Sequence, residues 1–321
     1  MLPITSQPSL LSQIPSVAVI MSTYNGEKYL NEQIDSILSQ KDVHVELFIR
    51  DDGSTDGTHE IISDYVSRYD NIHAEFGENL GYSRSFIHEL GAVEGFDYYA
   101  FSDQDDVWLE GKLASAVKAI SQQEASAGRS TPVMWQSNLY ITDDKLNIVY
   151  KTALDKRIHT LEAIIMRDHA VGNAMVMNKK ARDLIKRSDI LELFKNKGHD
   201  MYILFMTNVM NGIVITDSEA YVYYRQHSHN TAGTPTSLIN RIKIEYRRFN
   251  NVRGVNARLA SMLLQVLGDE ITPEIKKTLT LIAGHKNKWL YRIAILLSPK
   301  FRTGDIRLTI IGKIRALLGR L

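Results

Sequence analysis

The sequence contains no cysteine, and this absence excludes several kinds of site at once. Disulfide bonds, thiolate zinc sites and cysteine nucleophiles all require that residue, and a chain without it fits a reducing compartment. No apolar run approaches the roughly 18–20 uncharged residues that a membrane span needs. The first residues also lack the basic and apolar segments of a secretory signal. We therefore expect a cytoplasmic protein.

The formal net charge of +1 conceals two parts of opposite sign. Residues 237–321 contain 17 Lys and Arg against 5 Asp and Glu, whereas the preceding residues contain 21 against 32. Parts with opposite charge suggest different roles within one chain. We expect a flexible lead-in with three prolines, a main domain and a basic helical region, at residues 1–15, 16–235 and 236–321 respectively.

Apolar runs of strand type alternate with helical patterns between residues 17 and 142. This order is typical of an α/β domain with a mostly parallel sheet, helices on both faces and right-handed crossovers. Residues 133–225 mix further strands with a helix at about 198–210, and helical periodicity dominates from residue 237 onward. The predicted strands are 17–22, 45–49, 72–76, 98–102, 134–141, 171–177, 212–215 and 221–224.

Polar and acidic residues follow three of these strands, at 22–25, 51–54 and 103–106. Ligands of parallel sheets bind at the carboxyl ends of strands, so these residues are expected to meet at one edge. Asp103 and Asp105 offer carboxylate oxygens, which Mg²⁺ and Mn²⁺ prefer and share with substrate phosphates. A solvated acidic turn is the alternative for an isolated Asp-x-Asp. Two acidic strand ends in one sheet repel each other, which favours a bound cation or a hydrogen-bonding ligand.

Four short motifs lie in this part of the chain: Ser22-Thr-Tyr-Asn-Gly26, the Asp-Asp-Gly-Ser-Thr-Asp-Gly run at 51–57, Asn79-Leu-Gly81 and Ser102-Asp-Gln-Asp-Asp-Val-Trp108. Their order and spacing resemble those of family 2 glycosyltransferases, over residues 17 to about 232. The last motif is similar to the branch of rhamnosyltransferases of bacterial surface polysaccharides. The resemblance implies the GT-A fold, a Rossmann-like α/β domain, and transfer of a sugar from a nucleotide-sugar to a hydroxyl acceptor.

The resemblance implies roles for residues of a nucleotide pocket. Thr23 and Glu27 would line the pocket, and Asp52 would accept a hydrogen bond from the base N3–H, which uracil and thymine both offer. Arg84 would lie near the base or the phosphates, and Arg225 would pair with phosphate. The expected donor is dTDP-β-L-rhamnose, with a UDP-hexose as the alternative.

The resemblance also implies a Mg²⁺ or Mn²⁺ cofactor. Asp105, the second Asp of the Asp-x-Asp, would be the principal metal ligand, and Asp103 would contact the ribose and the metal. In the resembling branch a Gln-His-x-x-Asn segment, here residues 226–230, closes over the donor diphosphate. Its His227 would be a third metal ligand, and His229 is the alternative.

The acceptor side is implied by the same resemblance. Asp200 opens a predicted helix at the position of the family's catalytic base, and a helix N-terminus favours the ionised carboxylate. An ordinary aspartate that complements the helix dipole is the alternative. Residues that would shape the acceptor pocket are His199, Gly172, Asn173 and Trp135, although packing in the core is an equally good interpretation of Trp135.

The C-terminal region has the pattern of basic amphipathic helices, which can lie on an anionic membrane surface. Such an enzyme would be peripheral on the inner face of the cell membrane, beside a lipid-linked glycan acceptor of O-antigen or capsule type. Packing against the main domain, or against a second subunit in a homodimer, is the alternative. No module that reads nucleic-acid bases is visible. The apolar positions are 238–252 at helical spacing, then Ile306, Ile310, Ile314, Leu317 and Leu321.

Two other classes of protein compete with this interpretation. A nucleotidyltransferase shares nucleotide, metal and sheet, but it has a Gly-rich loop with Arg and a downstream Lys after the first strand, which residues 22–26 do not match. A non-catalytic carbohydrate-binding or scaffold protein would lack metal-dependent hydrolysis of a nucleotide-sugar. The intact acidic and base positions favour a single displacement with inversion, which would give an α-rhamnosyl product.

Overall fold

The computed structural model describes residues 14–167, 170–194, 198–227 and 255–321. The strands in these ranges are β1 (Ser16–Thr23), β2 (His44–Asp51), β3 (Ile72–Phe76), β4 (Tyr98–Ser102), β5 (Val107–Trp108), β6 (Val133–Thr142), β7 (Ile148–Lys151), β8 (Met175–Asn178) and β9 (Ile213–Arg225). The helices are α1 (Leu30–Leu38), α2 (Thr58–Arg68), α3 (Tyr82–Ala92), α4 (Lys112–Ala127), α5 (Leu161–Met166), α6 (Lys179–Arg182), α7 (Ser188–Leu191), α8 (His199–Val209), α9 (Val255–Leu267), α10 (Pro273–Gly284), α11 (Trp289–Leu297) and α12 (Ile306–Leu317).

One mixed sheet runs in the order β3-β2-β1-β4-β8-β6-β9-β5, with β7 paired to β6. Its first half is parallel, as the alternating pattern predicts, because β1 pairs with β2 and β4, and β2 pairs with β3. The register aligns Thr23 with Asp51, and Met21 with Ser102. The three strands that carry the polar motifs therefore end at one edge, and that prediction is confirmed.

Each face of the sheet is covered by its own apolar core. Along β1, Ala18 and Ile20 belong to one core, whereas Val17, Val19 and Met21 belong to the other. A strand that is apolar on both sides must be covered on both faces. Residues of α1, α2 and α4 cover one face, and residues of α3, α5, α8 and the C-terminal helices cover the other, so the predicted layers are confirmed.

Three predicted strands differ from the structure. The strand expected at 171–177 begins only at Met175, because Gly172–Ala174 forms a 3₁₀ turn. In this turn the Asn173 carbonyl accepts from Lys112 Nζ at 2.6 Å, so the backbone is directed away from a strand ladder. The strands expected at 212–215 and 221–224 form one strand, β9, whose pairing with β6 has an irregular register near Ser137.

The basic helical region predicted near the C-terminus is helical in residues 255–321, through α9 to α12. The apolar pattern at 238–252 lies outside the described residues, as do residues 1–13 of the predicted lead-in. Across the ranges that the structure describes, no helix is long and apolar enough to cross a membrane.

Candidate functional site

The loops that follow β1 and β2 are tied together at the edge of the sheet. Thr23 Oγ1 donates to Asp51 Oδ1 at 2.9 Å, and the backbone N–H of Ser54 donates to Asp51 Oδ2 at 3.1 Å. Asp52 N donates to the carbonyl of Thr23 at 2.8 Å. Thr23, predicted to line the nucleotide pocket, is buried beneath this edge and holds Asp51 in place.

Asp52, the predicted base-recognition residue, is buried and anchored to the Asn79-Leu-Gly81 motif. Its Oδ1 accepts from Leu80 N, and its Oδ2 accepts from Gly81 N, both at 2.8 Å. The guanidinium of Arg50 forms an ion pair with Oδ1. Each carboxylate oxygen can accept two hydrogen bonds, so Oδ2 retains capacity for a base N–H. Base recognition by Asp52 stays a prediction.

Glu27 and Arg84, both predicted near the nucleotide, are exposed. Glu27 Oε2 accepts from Gly57 N at 2.7 Å, which fixes the Asp-Asp-Gly-Ser-Thr-Asp-Gly loop against the segment after β1. Arg84 lies on the exposed side of the first turn of α3. The contacts of Glu27 and Arg84 with a nucleotide stay predictions.

Gln104 is a site residue that the sequence did not single out. Its side chain forms a pair of hydrogen bonds with the backbone of Tyr24, accepting from N at 2.8 Å and donating to O at 3.1 Å. The amide also lies against Gly26, where a Cβ would come within 2.5 Å of Oε1. Gln104 therefore joins the loop after β1 to the acidic loop after β4. Its position between two aspartates was the only available signal.

The acidic loop after β4 holds three carboxylates with different environments. Asp103 and Asp105 are partly buried, whereas Asp106 is fully buried. Burial, followed by the charges of Asp105 and Asp200, raises the pKa of Asp103 to about 7. Burial, followed by the charges of Asp105 and Asp103, also raises the pKa of Asp106 well above its usual value. The loop thus concentrates negative charge that a cation would relieve.

A buried lysine supports this loop from behind. Lys112, the first residue of α4, is fully buried, and its Nζ lies 3.1 Å from the centroid of the Trp108 ring. Burial lowers the Lys112 pKa well below its usual value, while Asp106 and Asp103 act in the opposite direction. The side-chain amide of Asn173 donates to Asp106. Asn173, predicted to shape the acceptor pocket, therefore lies behind the acidic loop, and no sequence pattern distinguishes Lys112 from a surface lysine.

Arg225 positions the acidic loop from β9. Its Nε donates to the Asp105 carbonyl at 2.9 Å, its Nη1 donates to the Asp144 carbonyl at 2.6 Å, and its Nη2 pairs with Glu32. Its backbone N–H donates to Asp106 at 3.0 Å. The side chain is buried, and all three nitrogens of the guanidinium donate to protein groups. These contacts of Arg225 join it to other parts of the protein, and its pairing with phosphate stays a prediction.

His227 meets Asp105 directly, with 2.8 Å between Nε2 and Oδ2. The two predicted metal ligands therefore converge, although they lie far apart in the sequence. In the described parts of the chain, no group of three His, Cys, Asp or Glu residues is arranged to hold a metal, and the role of Asp103 as a further ligand stays a prediction. The alternative ligand, His229, lies outside the described residues, as does Asn230.

The residues present fit a divalent cation that is only partly coordinated by protein. Asp105 and His227 supply one carboxylate and one imidazole in contact with each other. Mg²⁺ typically binds through one or two protein carboxylates and keeps waters and substrate phosphates as its other ligands. A donor diphosphate would therefore complete the coordination. Metal binding at this site is a prediction.

The predicted base, Asp200, lies in the first turn of α8, next to the buried ring of His199. The His199 ring stacks on Phe86 at 4.1 Å and meets Phe101 edge-on at 4.5 Å between ring centroids. Burial lowers the pKa of His199 to about 4, so the ring is neutral near pH 7. Among the described residues, neither ring nitrogen of His199 has a hydrogen-bond partner.

Gly172 approaches this pair closely enough to exclude a side chain. A Cβ at Gly172 would lie 2.9 Å from His199 Nε2 and 3.4 Å from Asp200 Cβ. The turn at Gly172–Ala174 is therefore packed directly against the start of α8. Gly172, His199 and Asp200 were all predicted on the acceptor side, and the structure brings them together.

Tyr82 is a third residue, after Gln104 and Lys112, that the sequence did not single out. It is an exposed residue at the start of α3, and its ring faces His199 edge-on at 6.3 Å. Burial of its hydroxyl, followed by the charges of Asp200 and Asp103, raises the pKa of Tyr82. Tyr82 therefore lies between the acidic loop and the predicted base. Its place next to Asn79-Leu-Gly81 was a usable signal.

Trp135 does not line a pocket. It is fully buried in the core between the sheet and α4, and its ring lies 5.8 Å from that of Tyr221. A side chain with no exposed surface cannot contact an acceptor, so its assignment to the acceptor pocket is corrected to a core position. The reason is that β6 lies inside the sheet with both of its faces covered, so side chains on either face are buried.

Comparison with known proteins gives the family. Residues 18–179, half of the chain, match the model of glycosyl transferase family 2, and the chain belongs to this family. It is 29% identical over 243 residues to the dTDP-rhamnosyl transferase RfbG of Shigella flexneri, which covers 73% of this chain and 79% of that protein. An uncharacterised glycosyltransferase of Nostoc sp., alr2836, is 28% identical over 231 residues, or 69% of each chain.

The fold has counterparts among solved structures. TarS residues 1–349 of S. aureus, in complex with UDP-GlcNAc, superimposes with a TM-score of 0.56 at 19% identity. The alignment covers 94% of this chain and 81% of that one. The fold is GT-A-like, as the motifs predicted.

Proposed function

We propose that this chain is an inverting, metal-dependent glycosyltransferase that moves L-rhamnose from dTDP-β-L-rhamnose to a hydroxyl of a growing bacterial surface glycan. One observation carries the proposal. Asp52, the Asp105–His227 pair and Asp200 come from distant parts of the chain to one edge of the sheet. A base-recognising carboxylate, a metal pair and a general base are the components that sugar transfer from a nucleotide-sugar requires.

The proposed reaction is a single in-line displacement. The acceptor hydroxyl gives its proton to the Asp200 carboxylate while its oxygen forms a bond to the anomeric carbon. The bond between that carbon and the diphosphate oxygen breaks, and the electron pair leaves with the nucleoside diphosphate. A divalent cation, when bound, would stabilise the charge on this leaving group. Attack from the face opposite the leaving group inverts the anomeric configuration.

The neutral, buried His199 ring forms the surroundings of Asp200. Both of its nitrogens are buried without a hydrogen-bond partner among the described residues. Because burial keeps the ring neutral near pH 7, it does not take the acceptor proton, and the neighbouring Asp200 carboxylate is the proposed base.

The rhamnosyl donor is supported by the motif at 102–108 and by the name of the Shigella relative. A UDP-hexose is the alternative, since Asp52 would bind uracil and thymine alike. A non-catalytic carbohydrate-binding or scaffold protein is the alternative from another class. Metal-dependent hydrolysis of the donor separates the last alternative from both enzymes, because a scaffold has no reason to cleave a sugar phosphate.

The acceptor is proposed to be a lipid-linked oligosaccharide of O-antigen or capsule type. The enzyme would then work as a peripheral protein on the inner face of the cell membrane. The basic C-terminal helices support this placement, and a homodimer is the competing use of the same region.

The test uses Asp200→Asn, with Asp70→Asn as the control. Asp70 is exposed and precedes β3, so it lies at the amino ends of the parallel strands, opposite the edge that carries the predicted site. A ligand that binds the folded state raises its thermal stability, so melting curves with a panel of nucleotide-sugars, with and without Mn²⁺, report donor binding. We expect Asp200→Asn to keep the donor-dependent shift and to lose transfer to membrane glycan. Full transfer activity in Asp200→Asn would sink the assignment.

A further inference from the structure

Helices α11 and α12 are locked together as a pair. Lys313 Nζ donates to the Leu296 carbonyl at 2.8 Å, and Arg292 Nη1 donates to the Leu317 carbonyl at 3.2 Å. The pair is also fixed against the main domain, because a Cβ at Gly312 would lie 2.4 Å from Met166 of α5. The side of α12 that carries Gly312 therefore faces inward.

The opposite side of α12 is apolar and exposed. Ile306, Ile310, Ile314 and Leu317 recur at helical spacing, and Ile306 is 79% exposed. Successive members are three or four residues apart, so they form one stripe along the helix. Leu321, which the sequence grouped with them, is fully buried, and its N–H donates to His285. The stripe therefore ends before the last residue.

Helix α11 repeats this arrangement. Trp289 and Leu297 are 65% and 75% exposed, and Leu290 is also exposed, whereas Ile295 on the other side is buried. Nothing among the described residues covers these side chains. Soluble proteins rarely leave a large apolar patch uncovered unless it binds something. We call the exposed apolar residues of α11 and α12 the outer face; they are Trp289, Leu290, Leu297, Ile306, Ile310, Ile311, Ile314 and Leu317.

The charge around the outer face selects its partner. Residues 286–321 contain nine Lys and Arg against one Asp. Lys288 immediately precedes α11, and Arg307 lies in the first turn of α12, and both are exposed. A second copy that docked through the same face would bring two strongly positive segments together, which is unfavourable. An anionic surface meets no such repulsion.

A cavity near the start of α11 is also lined by basic residues. It has a volume of about 460 Å³ and lies between α9 and the segment that leads into α11. Two cations and two small polar side chains are among its lining residues: Arg258, Lys286, Ser261 and Asn287. This donor set suits a phosphate group. Because Lys286 is three residues before Trp289, a phosphate held here would lie near the start of the outer face.

We propose that the outer face, with the basic residues around it, docks on the surface of an anionic lipid bilayer. The apolar stripe would enter the interface in the plane of the membrane, and the Lys and Arg side chains would meet the anionic headgroups. Trp289 lies where an interfacial anchor is expected, at the start of a helix and beside Lys288. The inference rests on the proposed function only through its purpose, which is to hold the active site at a lipid-linked acceptor.

The experiment is flotation of the full chain with vesicles of phosphatidylcholine, alone or with added phosphatidylglycerol. We expect binding only to the anionic vesicles, and its loss at high salt. Replacing Lys288 and Arg307 with Gln should weaken binding about fivefold for each charge removed. Replacing Leu290 and Ile310 with Ser should weaken it by about tenfold or more.

Matched controls use residues of the main domain. Lys118→Gln removes an exposed charge from α4, and Val149→Ser removes an exposed apolar side chain from β7. Both controls should bind vesicles like the unaltered chain. Equal binding by the outer-face variants, or no binding by the unaltered chain, would overturn the inference. Sedimentation that shows a dimer dissociated by the Leu290 and Ile310 changes would overturn it in favour of a second copy.

Donor hydrolysis in solution separates this inference from the proposed function. All outer-face variants should hydrolyse the nucleotide-sugar at the unaltered rate, because none of their residues belongs to the predicted site. A chain that binds anionic vesicles but never consumes a nucleotide-sugar would contradict the proposed function and leave the docking surface standing. A chain that hydrolyses the donor but does not bind vesicles would contradict the docking surface and leave the proposed function standing.

Discussion

Gly172→Ala is expected to damage the general base without disturbing the donor pocket. The new Cβ would lie 2.9 Å from His199 Nε2, which is half an ångström short of the 3.4 Å at which ordinary contact begins. His199 cannot swing aside easily, since its ring is held between Phe86 and Phe101. The overlap must therefore move the start of α8, which carries Asp200.

The size of the effect follows from this displacement. A shift of about 1 Å can cost about 100-fold in rate, so half of that should lower kcat by about tenfold. Overpacking should also cost about 1–3 kcal/mol of stability. The donor KM should stay within about twofold, because the Gly172 turn lies on the acceptor side.

The assay compares steady-state transfer with donor binding measured by thermal shift. Gly91→Ala is the matched control, since its Cβ would meet only Ile185 Cδ1 at an ordinary 3.8 Å within helix α3. This control should be neutral or slightly stabilising. An unchanged kcat in Gly172→Ala would refute the packing of the turn against the base. A loss of donor binding with no other effect would show that Gly172 belongs to the donor pocket and not to the acceptor side.

Three further predictions concern the acidic loop. Lys112→Met removes the buried amine that donates to the Asn173 carbonyl and should lower the free energy of unfolding by about 1–3 kcal/mol in chemical denaturation; an unchanged midpoint would contradict it. The Asp103 pKa is raised from 3.8 to about 7, so Mn²⁺ affinity should fall as the pH falls through about 7, as isothermal titration can measure. Without metal, the stability of the fold should depend on pH in the opposite direction. Between pH 3.8 and about 7 the Asp103 carboxyl keeps a proton in the folded state and loses it in the unfolded state, so the melting temperature should decrease as pH rises. His227→Ala should weaken Mn²⁺-dependent donor binding by about tenfold or more, while an equal loss only in His229→Ala would transfer the ligand role to His229.

Much of the fold could be predicted from the sequence because its signals are local. Apolar runs such as 17–22 and 98–102 predict buried strands, and the polar residues that follow them predict the edge at which the candidate site lies. The turn at Gly172–Ala174 could not be predicted in this way. Its conformation depends on Lys112 and Asp106, which are distant in sequence and carry no local pattern that links them to Asn173.

The candidate site shows the same division between local signals and distant contacts. The motifs predicted roles for Asp105 and Asp200. They did not predict the residues that support them, because Gln104, Lys112 and Tyr82 act through contacts between separate loops. Trp135 shows a different limit. An aromatic residue on a strand fits a pocket and a core equally well until the fold shows that both faces of β6 are covered.

The measurement that tests inverting sugar transfer most directly is proton NMR of donor hydrolysis in real time. Water replaces the acceptor, so the experiment needs no knowledge of the glycan. With diamagnetic Mg²⁺ and dTDP-β-L-rhamnose, the α anomer of L-rhamnose should appear first and then equilibrate slowly with the β anomer. Asp200→Asn should slow its appearance while still binding the donor. First appearance of the β anomer, or no consumption of any dTDP- or UDP-sugar that the chain binds, would contradict the account.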